Sequence, residues 1–284
     1  MRWRQGRRST NVEDRRGQRM VARRGVQLGG GAGLIVVLIV LLLGGNPADV
    51  LNMLQEGGAP AGSPISYEPS TAPDDEQAQF VSVVLADTED TWSAIFRGNG
   101  ARYEPPKLVL YTDTTSTACG LGSAASGPFY CPRDRKVYLD LGFFEELRRL
   151  GAPGDFARAY VIGHEVAHHV QNLLGTMDEV NSARENASRT EASKLSVMLE
   201  LQADCYAGVW AYHAQKARNI LEQGDAEEGI RAASAVGDDR LQRLAGRAVQ
   251  PESFTHGSSK QRVSWFRTGL RSGDLAACDT FAGL

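Results

Sequence analysis

Apolar and polar positions alternate along the chain in several distinct patterns, and each predicts its own kind of element. Residues 28–45 carry no charge, and Leu34 to Leu43 is an unbroken aliphatic run. That is just long enough to cross a bilayer as one helix. Residues 46–76 lack periodicity, are rich in Gly, Pro, Ala, Ser and Asp towards their end, and read as a flexible linker. From Gln77 to about Phe96 the residues Phe80, Val83, Val84, Trp92 and Ile95 share one side of a helix that Gly98-Asn99-Gly100 ends. Lys107 to Thr112 and Lys136 to Asp140 read as short strands separated by a Gly/Ser/Ala-rich loop, and Phe143 to Leu150 as a short helix. Asp155, as N-cap after Pro153-Gly154, opens a helix carrying Phe156, Ala159, Tyr160, Val161, Val166, Ala167 and Val170, which stops at Gly175. Residues 181–190 are polar and read as a loop; Asn186-Ala187-Ser188 fits a glycosylation pattern but carries no further meaning here. A long helix from about Glu191 to Leu221 is apolar almost all round at its centre; Gly224 breaks it, and Ala226 to Val236 forms another. The pattern as a whole is α+β and predominantly helical, a small sheet packed on a helical bundle, with one N-terminal transmembrane helix.

Composition adds the scale: with 42% hydrophobic and 23% charged residues, 284 residues hold one sizeable globular domain with appendages. The net charge of -3 conceals nine arginines in the first 24 residues, opposed only by Glu13 and Asp14. Arginines directly before a membrane span hold that side in the cytoplasm and place the bulk of the chain outside. The basic stretch is therefore read as a topology signal, with no nucleic-acid partner. A retained anchor is favoured over a cleaved signal peptide, because the charged region is long and Gly44-Gly45-Asn46-Pro47 is a poor cleavage site. The glycines at 29–31 and 33 lack the Lys-Ser/Thr of a nucleotide loop. The expected organisation is a cytoplasmic tail over 1–27, an anchor over 28–45, a linker over 46–76 and an extracytoplasmic domain over 77–284.

The chemistry centres on His164-Glu165-Val166-Ala167-His168. Residues i and i+4 lie on one helix face, so both imidazoles reach a single zinc ion while Glu165, on the flank, is placed to deprotonate a water. A hydrolytic zinc site takes a third protein ligand. The compact pattern in which a third histidine comes shortly after the second, separated from it by a Gly, is absent after His168, so the third ligand is assigned to Glu200, in an apolar stretch where a carboxylate needs a partner. Asp204, one turn further on, is assigned to hold the far nitrogen of His164. His169 reads as a satisfied surface or supporting histidine, and His213 lies too far along the second helix to join the metal.

With these residues in place, the sequence resembles the bacterial neutral zinc metallopeptidases with a single N-terminal membrane anchor. The resemblance rests on residues 11–17 (Asn-Val-Glu-Asp-Arg-Arg-Gly), 127–132 (Gly-Pro-Phe-Tyr-Cys-Pro), the His164 motif, Glu200 to Gly208, and 253–257 (Ser-Phe-Thr-His-Gly). The Glu200/Asp204 arrangement is more distantly similar to gluzincin peptidases, including HtpX-like and CAAX prenyl proteases. The resemblance implies a zincin-type peptidase fold, one zinc ion and a peptide or protein substrate, and leaves the physiological target open. It also implies that an edge strand near the metal pairs with substrate, a role for which Lys136 to Asp140 is the candidate, with an ordinary core strand as the alternative.

Peptide hydrolysis builds negative charge on the carbonyl oxygen, and His256 is the candidate donor to it, with Arg262 as its companion in the similar His-to-Arg element of those peptidases. The alternative is that His256 only caps the next helix. All four cysteines lie beyond the apolar run without a Cys-x-x-Cys pair, which reads as disulfides rather than a metal site. Of three possible connectivities, Cys119 with Cys131 and Cys205 with Cys278 is the expected one. Two other functions remain open on the sequence: a catalytically silent zinc-fold scaffold, and a zinc hydrolase of a non-peptide cell-wall amide. Oligomeric state is not legible.

Overall fold

The computed structural model describes residues 1–17 and 75–282. Two sheets and eight α-helices are present among them. Strand β1 (Val12–Asp14) is followed by helix α1 (Glu76–Gly98), β2 (Lys107–Tyr111), a hairpin of β3 (Thr114–Thr117) and β4 (Gly120–Ser123), then β5 (Phe129–Cys131) and β6 (Lys136–Asp140). The rest is helical: α2 (Gly142–Arg149), α3 (Asp155–Leu173), α4 (Thr176–Glu185), α5 (Arg189–Arg218), α6 (Asp225–Ala235), α7 (Asp238–Leu244) and α8 (Ser259–Ser272).

The main sheet has the order β1-β2-β6-β5, parallel except for β5, which runs antiparallel to β6 with Tyr130 opposite Val137. β6 is therefore an interior strand paired on both sides, and the edge is β5. Of the two readings of Lys136–Asp140, substrate-facing edge or ordinary core strand, the structure has the core strand. Its run Val137-Tyr138-Leu139 is buried throughout, which suits a central position.

α3 and α5 form the centre of the helical layer, where Phe156 stacks on Trp210 with ring centroids 6.0 Å apart. α8 lies against α5 at backbone contact. A Cβ on Gly269 would collide with the carbonyl oxygen of Cys205, and one on Gly208 with that of Phe266. Small residues on both helices thus set the approach that brings α8 side chains under the centre of α5. The disulfide Cys205–Cys278 ties the turn after α8 to the same helix, and Cys119–Cys131 joins the β3–β4 hairpin to β5.

The first 17 residues overturn the reading of the N-terminus as a solvated tail. They form one compact unit with the helical domain. β1 pairs with β2, Trp3 is 7% exposed and meets Phe80 edge-on at 5.3 Å, and buried Glu89 of α1 accepts hydrogen bonds from Arg7, Ser9 and Asn11. The Met1 ammonium lies 2.7 Å from Asp155 at the start of α3 and 3.3 Å from Asp225. Asp155 is consequently the first residue of α3 rather than its cap; Gly154 holds that position.

The expected membrane arrangement is corrected on two grounds. Among the described residues, no helix is long and apolar enough to cross a membrane, and the expected span at 28–45 lies outside the described residues. In addition, Arg16 and Asp75 form an ion pair at 2.7 Å, so the described residues 1–17 and those from Asp75 onward meet on one domain. A cytoplasmic N-terminus joined by a single pass to an external domain is incompatible with residues 1–17 folding onto that domain.

Smaller departures follow from weak local signals. Residues 176–185 form α4 although only Met177 and Val180 are buried, too sparse a pattern to announce a helix. Ser188, in the expected loop, is the cap of α5, with the reciprocal Ser188/Glu191 capping box. α7 and the β3–β4 hairpin had no sequence counterpart.

If residues 1–17 are part of the core, Trp3→Ala in the full chain lowers the unfolding free energy by about 3 kcal/mol or more. Urea denaturation measures this; a change below about 0.5 kcal/mol, typical of surface substitutions, would mark the segment as peripheral.

Candidate metal centre

α3 places His164 and His168 one turn apart, with ring centroids 4.7 Å apart and nearly perpendicular. α5 crosses beneath them and presents Glu200, whose carboxylate lies 3.1 Å from His164 Nε2 and 3.4 Å from His168 Nε2. One donor atom from each of the three side chains falls within 4.8 Å of the others. The remaining ring nitrogens are both held. His164 Nδ1 lies 2.9 Å from Asp204 Oδ1, and His168 Nδ1 lies 2.8 Å from Gln171 Oε1. With a metal bound, a proton on each Nδ1 would satisfy these acceptors and leave the Nε2 lone pairs for the ion; without one, His164 Nε2–H donates to Glu200 at 3.1 Å. Two imidazoles and a carboxylate so oriented fit zinc, and one ion is the number the site would hold.

Asp204 is completely buried and forms the hub of the support. Arg262 Nε donates to Oδ2 at 2.8 Å and Nη2 to Oδ1 at 3.0 Å, and the Tyr160 hydroxyl donates to Oδ1. Burial alone would raise the Asp204 pKa, but Arg262 and then His164 hold it below the usual carboxylate range. Arg262 also donates from Nη1 to the Val236 carbonyl at 3.2 Å and from Nη2 to the Tyr160 oxygen at 3.3 Å. Arg262 therefore sits behind the ligands, at 4% exposure, rather than extended as a free donor.

Glu165 differs from every other carboxylate in the centre. It is buried and borders the cavity, yet its side chain makes no hydrogen bond among the described residues. Burial pushes its pKa above the ordinary glutamate value against the pull of His164 and His168. His256, in the loop before α8, has a half-exposed side chain that also borders the cavity. Asp238 Oδ2 accepts from the His256 backbone N–H at 2.7 Å, and Asp238 Oδ1 lies 3.1 Å from the ring Nδ1. The hydrogen bond to Asp238 raises the His256 pKa, and Nε2 is left without a protein partner among the described residues. The cap of α8 is Ser258, so capping is not what His256 does.

The cavity over this centre has a volume of about 400 Å³. One wall is the approach to β5, from Ser126 to Tyr130; Met177, Leu199, Val236 and Leu241 also line the cavity. His169 is buried under that first wall, with Nδ1 3.0 Å from the Tyr130 hydroxyl and Nε2 2.6 Å from the Glu104 carbonyl. It is satisfied, as expected, but it is not on the surface. His213 bonds the Gly273 carbonyl at 2.8 Å, remote from the centre. Gln171 and Tyr160 were not singled out on sequence. Both were accessible to spacing: Gln171 is three residues after His168, and Tyr160 four before His164, so each shares a helix face with a ligand.

Two histidines and a glutamate at one face of crossed helices, beside an uncommitted carboxylate, form a candidate zinc centre. The family model described as "Putative neutral zinc metallopeptidase" matches residues 1–281, and the chain belongs to that family. It is 48% identical over 289 residues to the uncharacterized protein YpfJ of Escherichia coli, covering 99% of each chain. It is also 36% identical over 262 residues to an uncharacterized protein of Mycobacterium tuberculosis, covering 85% of each. No solved structure matches the chain.

In the metal-free centre burial lowers the His164 pKa, but Asp204 and Glu200 outweigh it and raise the value to about 10. A raised pKa means that the proton stabilises the metal-free fold fully below the ordinary value near 6.5, and that this is lost as pH rises through about 10. Zinc must displace this proton at neutral pH, so calorimetry in buffers of different ionisation heat should show about one proton released per zinc at pH 7. Apparent affinity should rise roughly tenfold per pH unit over the neutral range; a pH-independent affinity contradicts the assignment.

Proposed function

We propose that the protein is a zinc-dependent metallopeptidase that cleaves polypeptide at the cavity above His164, His168 and Glu200. The observation that carries this reading is Glu165, a buried carboxylate with no hydrogen-bond partner, beside a three-ligand set in a cavity open to substrate. A purely structural zinc site is normally closed by four ligands and has no use for such a group.

Zinc, when bound, supplies a Lewis acid that polarises the scissile carbonyl and makes water more acidic. Glu165 accepts a proton from the attacking water as the carbon–oxygen bond forms, and returns it to the amine nitrogen as the carbon–nitrogen bond breaks. His256 donates from Nε2 to the carbonyl oxygen, where negative charge develops, with Asp238 fixing the ring from the other side. Arg262 acts through Asp204: it keeps that carboxylate ionised and in place, and Asp204 in turn fixes His164. The oxyanion role expected for Arg262 is therefore given to His256 alone.

The substrate is an extended polypeptide. β5 is an edge strand that pairs only with β6 among the described strands, and its approach forms the cavity wall. Its free edge can add an antiparallel or parallel substrate strand.

The full chain loaded with zinc, and Glu165→Gln treated alike, test this on an unstructured protein. Both should hold about one zinc. Cleavage by the variant should fall by about 10²-fold or more. Equal cleavage removes Glu165 as the base. If zinc is held and nothing is cut by either, the peptidase reading is wrong.

A further inference from the structure

The two ligand histidines are held in different ways. His164 meets a carboxylate that is paired with Arg262, whereas His168 meets an uncharged amide, the side chain of Gln171. Gln171 follows His168 by three residues on α3 and is completely buried, so the polar atoms of its side chain need protein partners. They have them. Oε1 lies 2.8 Å from His168 Nδ1, and Nε2 donates to the Leu199 carbonyl at 2.7 Å and to Gln202 Oε1 at 3.0 Å. Gln202, also buried, donates in turn from its own Nε2 to the Cys278 carbonyl at 3.3 Å.

These neighbours admit one orientation of each amide. A backbone carbonyl can only accept, so the Cys278 carbonyl fixes the NH2 of Gln202 and leaves its oxygen towards Gln171. That oxygen and the Leu199 carbonyl are both acceptors, so they take the two hydrogens of the Gln171 NH2 and turn its oxygen to His168. The Gln171 oxygen has no hydrogen to give. His168 Nδ1 is therefore the donor, and Nε2 is the nitrogen available to a metal. The order of donors and acceptors runs from the turn that the Cys205–Cys278 disulfide ties to α5 as far as a zinc ligand.

The anchor of this chain lies beside the third ligand. Gln171 bonds the carbonyl of Leu199, and Thr280 Oγ1 donates to that of Met198 at 2.7 Å, so the carbonyls of the two residues before Glu200 are each bonded by a side chain from outside α5. One amide thus touches His168 with its oxygen and the turn that carries Glu200 with its nitrogen. We infer that Gln171 is a positioning residue of the metal centre, which fixes the tautomer and ring orientation of His168 against the Glu200 turn, and that Gln202 holds its amide in the orientation this requires. The inference rests on the ligand set of the proposed zinc centre and is independent of what that centre cleaves.

The zinc affinity of the full chain, measured by competition with a chromophoric chelator, tests this without a substrate. Gln171→Met nearly keeps the side-chain volume and removes the acceptor and both donor hydrogens; its affinity should fall about 10- to 100-fold. Gln171→Glu returns an oxygen to His168 Nδ1 whether ionised or protonated, but supplies at most one of the two donor hydrogens. Its affinity should recover most of the loss, while thermal unfolding of the metal-free form stays below the wild-type temperature in both variants, since buried acceptors remain unpaired. If Gln171→Glu binds zinc as weakly as Gln171→Met, or if Gln171→Met binds as the wild type does, the inference is overturned. Ring-nitrogen NMR of the zinc-loaded wild type decides the matter even where a variant does not fold: His168 should carry its proton on Nδ1 and bind through Nε2, and binding through Nδ1 overturns the inference. A wild type that holds no zinc overturns the ligand assignment and this inference with it, whereas zinc held with no peptide cut overturns the peptidase reading alone.

Discussion

The contact on which the centre depends is the ion pair between Asp204 and Arg262. Neither group is viable alone. A carboxylate with no exposure and a guanidinium at 4% exposure each carry a desolvation cost of several kcal/mol, recovered only through good geometry. Here the geometry is bidentate, and the carboxylate's remaining capacity is filled by Tyr160 and His164. Four side chains from three helices are thus held at one point: Tyr160 and His164 from α3, Asp204 from α5 and Arg262 from α8. A buried pair of this kind adds little net stability, but it strongly penalises any packing that separates its members. Its contribution is to fix which face of α3 meets α5, and so where the Nε2 atoms point.

Much of the surrounding fold serves that register. α8 can deliver Arg262 beneath Asp204 only because glycines at 208 and 269 let its backbone touch that of α5. The disulfide from Cys205 closes the chain end over the same contact. On the other side of the cavity, the edge strand is secured separately. The Tyr130 hydroxyl is bonded to His169 and accepts from Asn172 at 2.9 Å, which attaches β5 to the zinc-site helix itself. Burial pushes His169 down to about 4, so this link is neutral at physiological pH and adds no charge beside the ligands. The floor and the wall of the cleft are therefore referenced to one helix, and a substrate strand on β5 would be registered to the ligands without an intervening flexible joint.

What was legible in the sequence was local periodicity combined with chemistry that only one geometry satisfies. Histidines at i and i+4, and carboxylates at 200 and 204 in an apolar helix, each imply a partner of known type, and α3 and α5 bring those residues together. What was illegible depended on partners distant in sequence. The arginines near the start look solvated because their acids lie elsewhere: Arg7 meets Glu89 and Asp90, Arg4 meets Glu76, and Arg16 meets Asp75. Charge density suggested a tail, whereas the interleaved Trp3 and Val12, one buried and one packed on the core, were the signal of a folded strap. β6 illustrates the same limit. Its five residues fit an edge or a centre equally well, and only the pairing partner, the three-residue β5, decides between them.

Arg262 is a residue for which spacing and packing suggest different tasks. The sequence offers a histidine and an arginine six residues apart, and both border the cavity, so a shared task at the oxyanion is the simplest reading. The buried carboxylate separates them. Asp204 cannot be ionised at zero exposure without a countercharge, and among the described residues no lysine or other arginine bonds it, so the guanidinium is committed to it. His256 has no such obligation: its partner Asp238 is engaged through Nδ1 and the backbone, on the side away from Nε2. Which carboxylate each cation satisfies therefore follows from the packing of α8 on α5 rather than from the spacing of the two residues.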